Sequence, residues 1–308
     1  MVLFINEERQ SYYPTNMKAL FDSFSEYKTS GSNFSALPST MVGHRGSLYI
    51  MQREYAAVAP KNEIVNILGS DDATTCIIII VRDSHSGSTA LAHLDNPPGA
   101  GKAIEEIIEK LQHLPDAYSK YDMYLVGGYQ DPRGLSDQLF EEIFKTVQKL
   151  PQEIHLKLAC IGETNTVVKN RIPWPKIYGV AIKIDTGEIF PAKFEVKGPD
   201  EVLRHVKILA GSSDIMNIYD NHLNIIKIGP FSYTPFQGME YLLKVSDEVV
   251  LKHTSTSPEV EPSDYVTNIR KAVQFMIENP KATDVFKENK PHCFCREETS
   301  GLWVPIRS

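Results

Sequence analysis

The segment LGSDDATTC, residues 68–76, sets small, polar, turn-forming residues directly ahead of a cysteine that opens the apolar run CIIIIV. A cysteine at the mouth of a strand is held rigidly from behind. The N–H groups of the turn before it are then free to bind a developing oxyanion. His93 follows seventeen residues later in the next predicted strand. An antiparallel pair joined by the polar loop at 83–88 brings Cys76 and His93 side by side at one sheet edge. A neighbouring imidazolium lowers a thiol's pKa and supplies a proton to a leaving amine, so a thiolate–imidazolium pair suits acyl transfer. Spacing alone leaves two other readings open. Cys76 can be a small buried core residue with His93 a satisfied strand histidine, the commoner fate of a free cysteine. A zinc site from Cys76, His85 and His93 has sparse ligands and no accompanying CxxC pairs.

The elements that must position this pair are strands and amphipathic helices in alternation. Residues 47–58 are extended, 64–68 form a short strand, 76–81 a continuous buried strand, and 90–94 begin the next. After the loop at 97–101, Ile104, Ile107, Ile108 and Leu111 recur at helical spacing. A strand at 124–126 ends at Gly127-Gly128, and a second amphipathic helix carries Leu135, Leu139, Phe140, Ile143, Phe144 and Val147. A strand at 154–160 precedes a hairpin turning at Asp185-Thr186-Gly187, a helix opened by Pro199, and a hairpin around Asp220-Asn221. A late helix spans 265–277, and a short one 17–24. The pattern predicts an α/β (α+β) sandwich, with residues 1–45 as a peripheral N-terminal segment and 46–308 as one compact domain. Cys293-Phe-Cys295 reads as incidental. No GxGxxG or Walker motif occurs, which weakens nucleotide-dependent readings.

Composition narrows the class. A sequence of 308 residues with 42% apolar and 23% charged residues can bury a large core and shows no bias towards disorder. A net charge of -7 without a dense Lys/Arg run argues against nucleic acid as the partner and for a polypeptide or small molecule. The longest strongly apolar run, 76–81, is far short of the roughly 20 residues that span a bilayer, so no membrane partner is expected. The N-terminus MVLFINEERQ lacks the pattern of a signal peptide, which places the protein in the cytoplasm with passage to the nucleus open. Four cysteines do not make a disulfide framework in so long a sequence.

Beyond spacing, LGSDDATTC together with LVGGY at 125–129, IYG at 177–179, IGPFSYTPF at 228–236, STSPEVEP at 255–262 and GLW at 301–303 resembles the protein N-terminal asparagine amidohydrolases. The resemblance covers most of the sequence, and it shifts the balance for Cys76 from core residue to nucleophile. More distantly the protein is similar to the chemotaxis-receptor glutamine deamidases and the cytotoxic necrotizing factor deamidases. It thereby implies a layered α-β-β sandwich. Those relatives pair a cysteine after a Gly-Ser turn with a later histidine, and Ser70 is the candidate for orienting His93, although it can simply cap the turn.

The resemblance implies attack of Cys76 on the carboxamide of a first-position asparagine. His93 protonates the departing ammonia and then activates water against the thioester. No metal or organic cofactor is required. A free α-ammonium calls for a carboxylate partner, for which Glu261 in the Pro-flanked stretch is favoured, with Asp71 and Asp72 as runners-up and Thr75 beside them. Tyr129, Tyr178, Phe231, Tyr233 and Phe236 are candidates for pocket walls. The partners implied are proteins or peptides with a free N-terminal Asn, in the degradation route that leads from such termini to ubiquitin, and the protein itself is expected to be a monomer. Two alternatives use the same residues: a cysteine peptidase or transferase acting on backbone amides, and a non-catalytic N-terminus-binding adaptor in which Cys76 is buried and inert.

Overall fold

Ile77, Ile78, Ile79, Ile80 and Val81, none more than 1% exposed, form the heart of the strand Ile77–Asp83. A β-branched run of this kind packs well on a pleated surface, and its lack of alternation requires cover on both faces. The computed structural model, which describes residues 3–210 and 213–306, provides that cover. Ile77, Ile79 and Val81 face helices, whereas Cys76, Ile78 and Ile80 face a second sheet.

The strand lies inside an eight-stranded mixed sheet. Thr89–Leu94 and Lys120–Gly127 flank it antiparallel, and Glu54–Val58 pairs beyond the first of these. Glu153–Cys160 runs parallel to Lys120–Gly127. Leu3–Ile5 adds to Glu153–Cys160 in parallel, with Leu3 and Ile5 fully buried, so residues ahead of 46 share this sheet and its core.

Two helices cover the first face. Pro97–Gln112 begins where Pro97 pre-sets the backbone and the Asn96 side chain accepts from the Gly99 N–H. Leu135–Lys149 lies beside it, and both send their apolar stripes into the core shared with Ile77, Ile79 and Val81. The opposite face packs on a five-stranded sheet ordered Thr40–Val42, Ile189–Phe194, Val180–Lys183, Ile67–Ser70, Ser47–Tyr49. A separate apolar cluster ties together the helices Glu201–Leu209, Asp247–Thr254 and Tyr265–Glu278. The result is a mixed α/β architecture in which helices, the large sheet and the second sheet form successive layers. Among the described residues, no helix is long and apolar enough to cross a membrane.

Two local expectations change. The hairpin expected around Asp220-Asn221 is split: Met216–Asn217 pairs with Glu54–Val58 in the large sheet, while Tyr219–Asp220 pairs with Ile225–Ile228. That second pair continues into His292–Arg296 and Trp303–Pro305 as a four-stranded sheet, so Cys293 and Cys295 stand on a strand whose Phe294 is buried. The helix Ser25–Ser35 has no clear apolar period in SEYKTSGSNFS. It forms because it lies flat on the large sheet, where a Cβ on Gly31 would come within 2.2 Å of the Ala159 carbonyl oxygen.

Candidate active site

Cys76 immediately precedes Ile77–Asp83 and shares a face with Ile78. His93 is the residue paired across from Ile78, so the thiol and the imidazole are diagonal neighbours on one sheet face. Both line a cavity of about 790 Å³. The hairpin at 83–88 is thus the element that joins them, as its spacing suggested. The same hairpin carries His85 to its far end, where its ring lies 5.4 Å from that of Tyr118 at a tilt of 44°, with the whole strand Ile77–Asp83 between it and Cys76. A common zinc site is therefore closed to these three residues by geometry.

Ser70 arrives from a different layer. It ends the strand Ile67–Ser70 of the second sheet, is fully buried, and its Oγ lies 2.7 Å from His93 Nδ1. With Nδ1–H donating to Ser70, the lone pair of Nε2 is left for the cavity. Among the described residues, His93 Nε2 has no hydrogen-bond partner although the residue is only 2% exposed.

Electrostatically the pair differs from the ion pair expected of it. Burial pushes the Cys76 thiol well above its ordinary range, with Asp95 and then Glu261 adding to the effect. Burial also pulls His93 down to about 4, against a weaker pull from Asp95. At neutral pH the resting site therefore holds a thiol and a neutral imidazole. Two influences run the other way, Arg53 and the backbone amide of Cys76 itself, and both lower the thiol's pKa by less than burial raises it.

The turn ahead of Cys76 is braced on several sides. Ala73 N–H donates to the Tyr178 carbonyl at 2.9 Å, and Ser136 Oγ donates to the Thr75 carbonyl at 3.2 Å. Gly128 N–H donates to the Cys76 carbonyl at 2.6 Å. Gly127 has φ +107°, and a Cβ there would meet that carbonyl oxygen at 2.7 Å. The LVGGY and IYG stretches thus meet at the cysteine despite lying about 50 and 100 residues away in sequence.

The carboxylates divide by what they touch. Asp71 accepts from Tyr49 Oη at 2.8 Å and from the Phe194 N–H at 2.8 Å, which spends both oxygens on the second sheet. Burial and the neighbouring Asp72 raise it to about 6. Asp72, at φ +59°, pairs with Lys197, which also reaches Asp264 at 3.4 Å. Glu261 is part-buried and accepts from Ser255 Oγ and, at 3.1 Å, from Ser257 Oγ. Burial raises its pKa. Ser257 Oγ is also 2.9 Å from Thr74 Oγ1, and Thr75 Oγ1 is 3.2 Å from Thr256 Oγ1, so the STSPEVEP loop is tied to the cysteine turn. Asp71, Asp72, Thr75 and Glu261 all line the cavity with Cys76 and His93.

Of the five aromatic candidates only Phe236 is part of the cavity wall; Tyr233 instead donates to the Asn279 carbonyl at 2.6 Å, and Tyr129 is buried. Sequence reasoning missed Asp95 and Arg53, which form an ion pair at 2.7 Å in the same wall. The available signal was register: Asp95 stands two residues beyond His93 and therefore on the same face.

A family model described as protein N-terminal asparagine amidohydrolase matches residues 37–305. The chain is 37% identical to the human protein N-terminal asparagine amidohydrolase over 270 residues, covering 87% of this chain and 86% of that protein. It is 35% identical to the mouse protein of the same name over 87% of this chain and 86% of the relative. It is 28% identical to the Arabidopsis thaliana one over 92% of this chain and 87% of the relative. A match of this extent shows that the chain belongs to the protein N-terminal asparagine amidohydrolase family.

Proposed function

We propose that this protein hydrolyses the side-chain amide of an N-terminal asparagine in proteins and peptides, giving aspartate and ammonia, with Cys76 as nucleophile. The observation that carries the reading is the His93 Nε2 atom, buried and unpartnered in the cavity that also holds Cys76 and Glu261. Family membership supports the amide chemistry.

Because the resting pair is neutral, His93 acts first as a general base, taking the thiol proton as sulfur attacks the carboxamide carbon. The backbone N–H groups of Cys76 and Thr75 are the donors suited to the oxyanion, that of Ala73 being taken by the Tyr178 carbonyl. The proton on Nε2 then passes to the leaving amine, ammonia departs, and a thioester remains. His93 draws a proton from water, hydroxide attacks the thioester, and the thiol leaves with that proton. Ser70 keeps Nδ1 protonated and so holds the reactive tautomer. Glu261, already oriented by two serine hydroxyls, pairs the α-ammonium that an internal asparagine lacks. Asp71 is set aside as a ligand because the second sheet occupies both its oxygens.

The layering of helices on two sheets supports kinship with the chemotaxis-receptor and necrotizing-factor deamidases. The chemistry supports a place in the N-degron route, where the new aspartate leads to ubiquitin-dependent degradation. The setting we assign is a cytoplasmic monomer with passage to the nucleus open.

One observation favours the adaptor reading: Cys76 is 7% exposed and its thiol is held protonated. Mass spectrometry separates the two. An Asn-initiated peptide gains about one mass unit with the wild type and none with Cys76→Ala, while its N-acetylated and internal-Asn copies stay unchanged. A peptide that is cleaved identifies a peptidase, and one that binds without changing mass identifies an adaptor.

A further inference from the structure

Hairpin register sets Ile77 across from Leu94 and Ile78 across from His93. One more step places Asp95 across from Cys76. Its side chain is 7% exposed and tightly held: Oδ2 accepts from Arg53 Nε at 2.7 Å and Gln52 Nε2 at 2.6 Å, and Oδ1 accepts from Asn96 Nδ2 at 2.7 Å. Asp95, Gln52, Arg53 and Asn96 all line the cavity into which the unpartnered His93 Nε2 is set. Although Arg53 pairs with it, the carboxylate dominates at the sulfur, raising the thiol's pKa more than Arg53 lowers it. It is also the charge felt by His93.

Resting on the deamidase reading above, we propose that Asp95 sets the charge selectivity of the site: its fixed carboxylate admits the neutral carboxamide and expels the carboxylate that hydrolysis makes of it. The reaction breaks the C–N bond of the carboxamide, forms a C–O bond from water, and converts R–CONH2 and H2O into R–COO⁻ and NH4⁺. The α-ammonium is present before and after, so Glu261 grips substrate and product alike. Only the reacting group alters its charge, and it does so at Cys76, across from Asp95. Like charges held together in a desolvated wall are strongly unfavourable. The site thus resists inhibition by its own product and refuses polypeptides that already begin with aspartate.

The experiment compares inhibition of Asn-peptide turnover by two peptides identical except for their first residue, Asp or Ser. With the wild type, the Asp peptide is expected to inhibit at least about tenfold more weakly than the Ser peptide. Asp95→Asn, checked for folding by circular dichroism, is expected to close that gap by about tenfold while leaving the Ser peptide's constant in place. Should that variant not fold, the wild-type ratio carries the test, and because both charges are desolvated the gap is expected to hold as salt rises. Equal inhibition by the two peptides in a wild type that deamidates the Asn peptide overturns the role of Asp95 alone, as does an unchanged ratio in a folded Asp95→Asn. Absence of any mass gain from the Asn peptide with wild type overturns the deamidase reading instead.

Discussion

Replacing Ser70 by alanine tests how His93 is held, because Ser70 touches the imidazole but does not line the cavity. The hydroxyl is 2.7 Å from Nδ1, and both residues are essentially buried, so truncation leaves a ring nitrogen without a partner and without water to replace it. An unsatisfied buried donor costs about 1–3 kcal/mol. The ring escapes that cost by turning, or by adopting the tautomer with the proton on Nε2, and either change removes the base. If most of this energy is expressed in the transition state, kcat falls by roughly 5- to 150-fold. KM for an Asn-initiated peptide stays within about twofold, since no substrate contact is lost. The assay is continuous ammonia release under saturating and subsaturating peptide. A second comparison isolates the pathway of the effect: in a His93→Gln background, adding Ser70→Ala should cost nothing further, because a residue acting only through His93 has nothing left to position. A Ser70→Ala kcat within twofold of wild type, or an additive loss in the double variant, refutes the positioning argument.

Three other outcomes follow from the same geometry. His93 stays neutral down to about 4, so the acid limb of kcat, read at saturating peptide where Glu261 is already paired, should fall near that pH and not near 6.5. The sign for stability is the same: between 6.5 and about 4 the unfolded protein binds a proton that buried His93 refuses, so stability is present above 6.5 and drops as pH falls through that window. The loss amounts to roughly 3 kcal/mol, readable as a urea midpoint whose pH slope flattens in His93→Gln. Glu261→Gln should lower kcat/KM for a free-amine Asn peptide by about 30-fold or more, the scale of truncating a buried charge pair. The loss should fall on KM with kcat held within about twofold, and a loss carried by kcat instead would show that Glu261 only braces the loop. Gly127→Ala adds a Cβ where the Cys76 carbonyl oxygen leaves 2.7 Å, at φ +107°. Activity should fall by at least about tenfold, with a melting temperature lowered by several degrees, and an unaffected kcat would mean the cysteine turn yields freely.

The elements that carry the nucleophile and its base were legible from residue order. Five successive β-branched apolar residues have no low-energy place except a strand covered on both faces, and a cysteine directly before them must sit at that strand's mouth. A strand, a short polar loop and a second strand can return only as a hairpin, so Cys76 and His93 became neighbours from local information alone. The amphipathic helices Pro97–Gln112 and Leu135–Lys149 were equally legible, because their apolar residues repeat with the helical period. Ser25–Ser35 was not, since its buried contacts depend on small residues approaching a sheet formed by residues far away in sequence.

Whatever depends on which layers meet came from packing instead. Ser70 belongs to the second sheet and reaches His93 only because that sheet packs on the first. Asp71 and Asp72 are adjacent in sequence, yet one is absorbed by Tyr49 and Phe194 and the other by Lys197. Glu261 comes from a loop almost two hundred residues downstream, anchored to Thr74 through Ser257. The charge state of the pair was set there as well. A cysteine and a histidine on neighbouring strands suggest an ion pair in water, but desolvation by both sheets disfavours each charged form and leaves a thiol beside a neutral imidazole. Burial is a property of the packed layers, and no local pattern of residues encodes it.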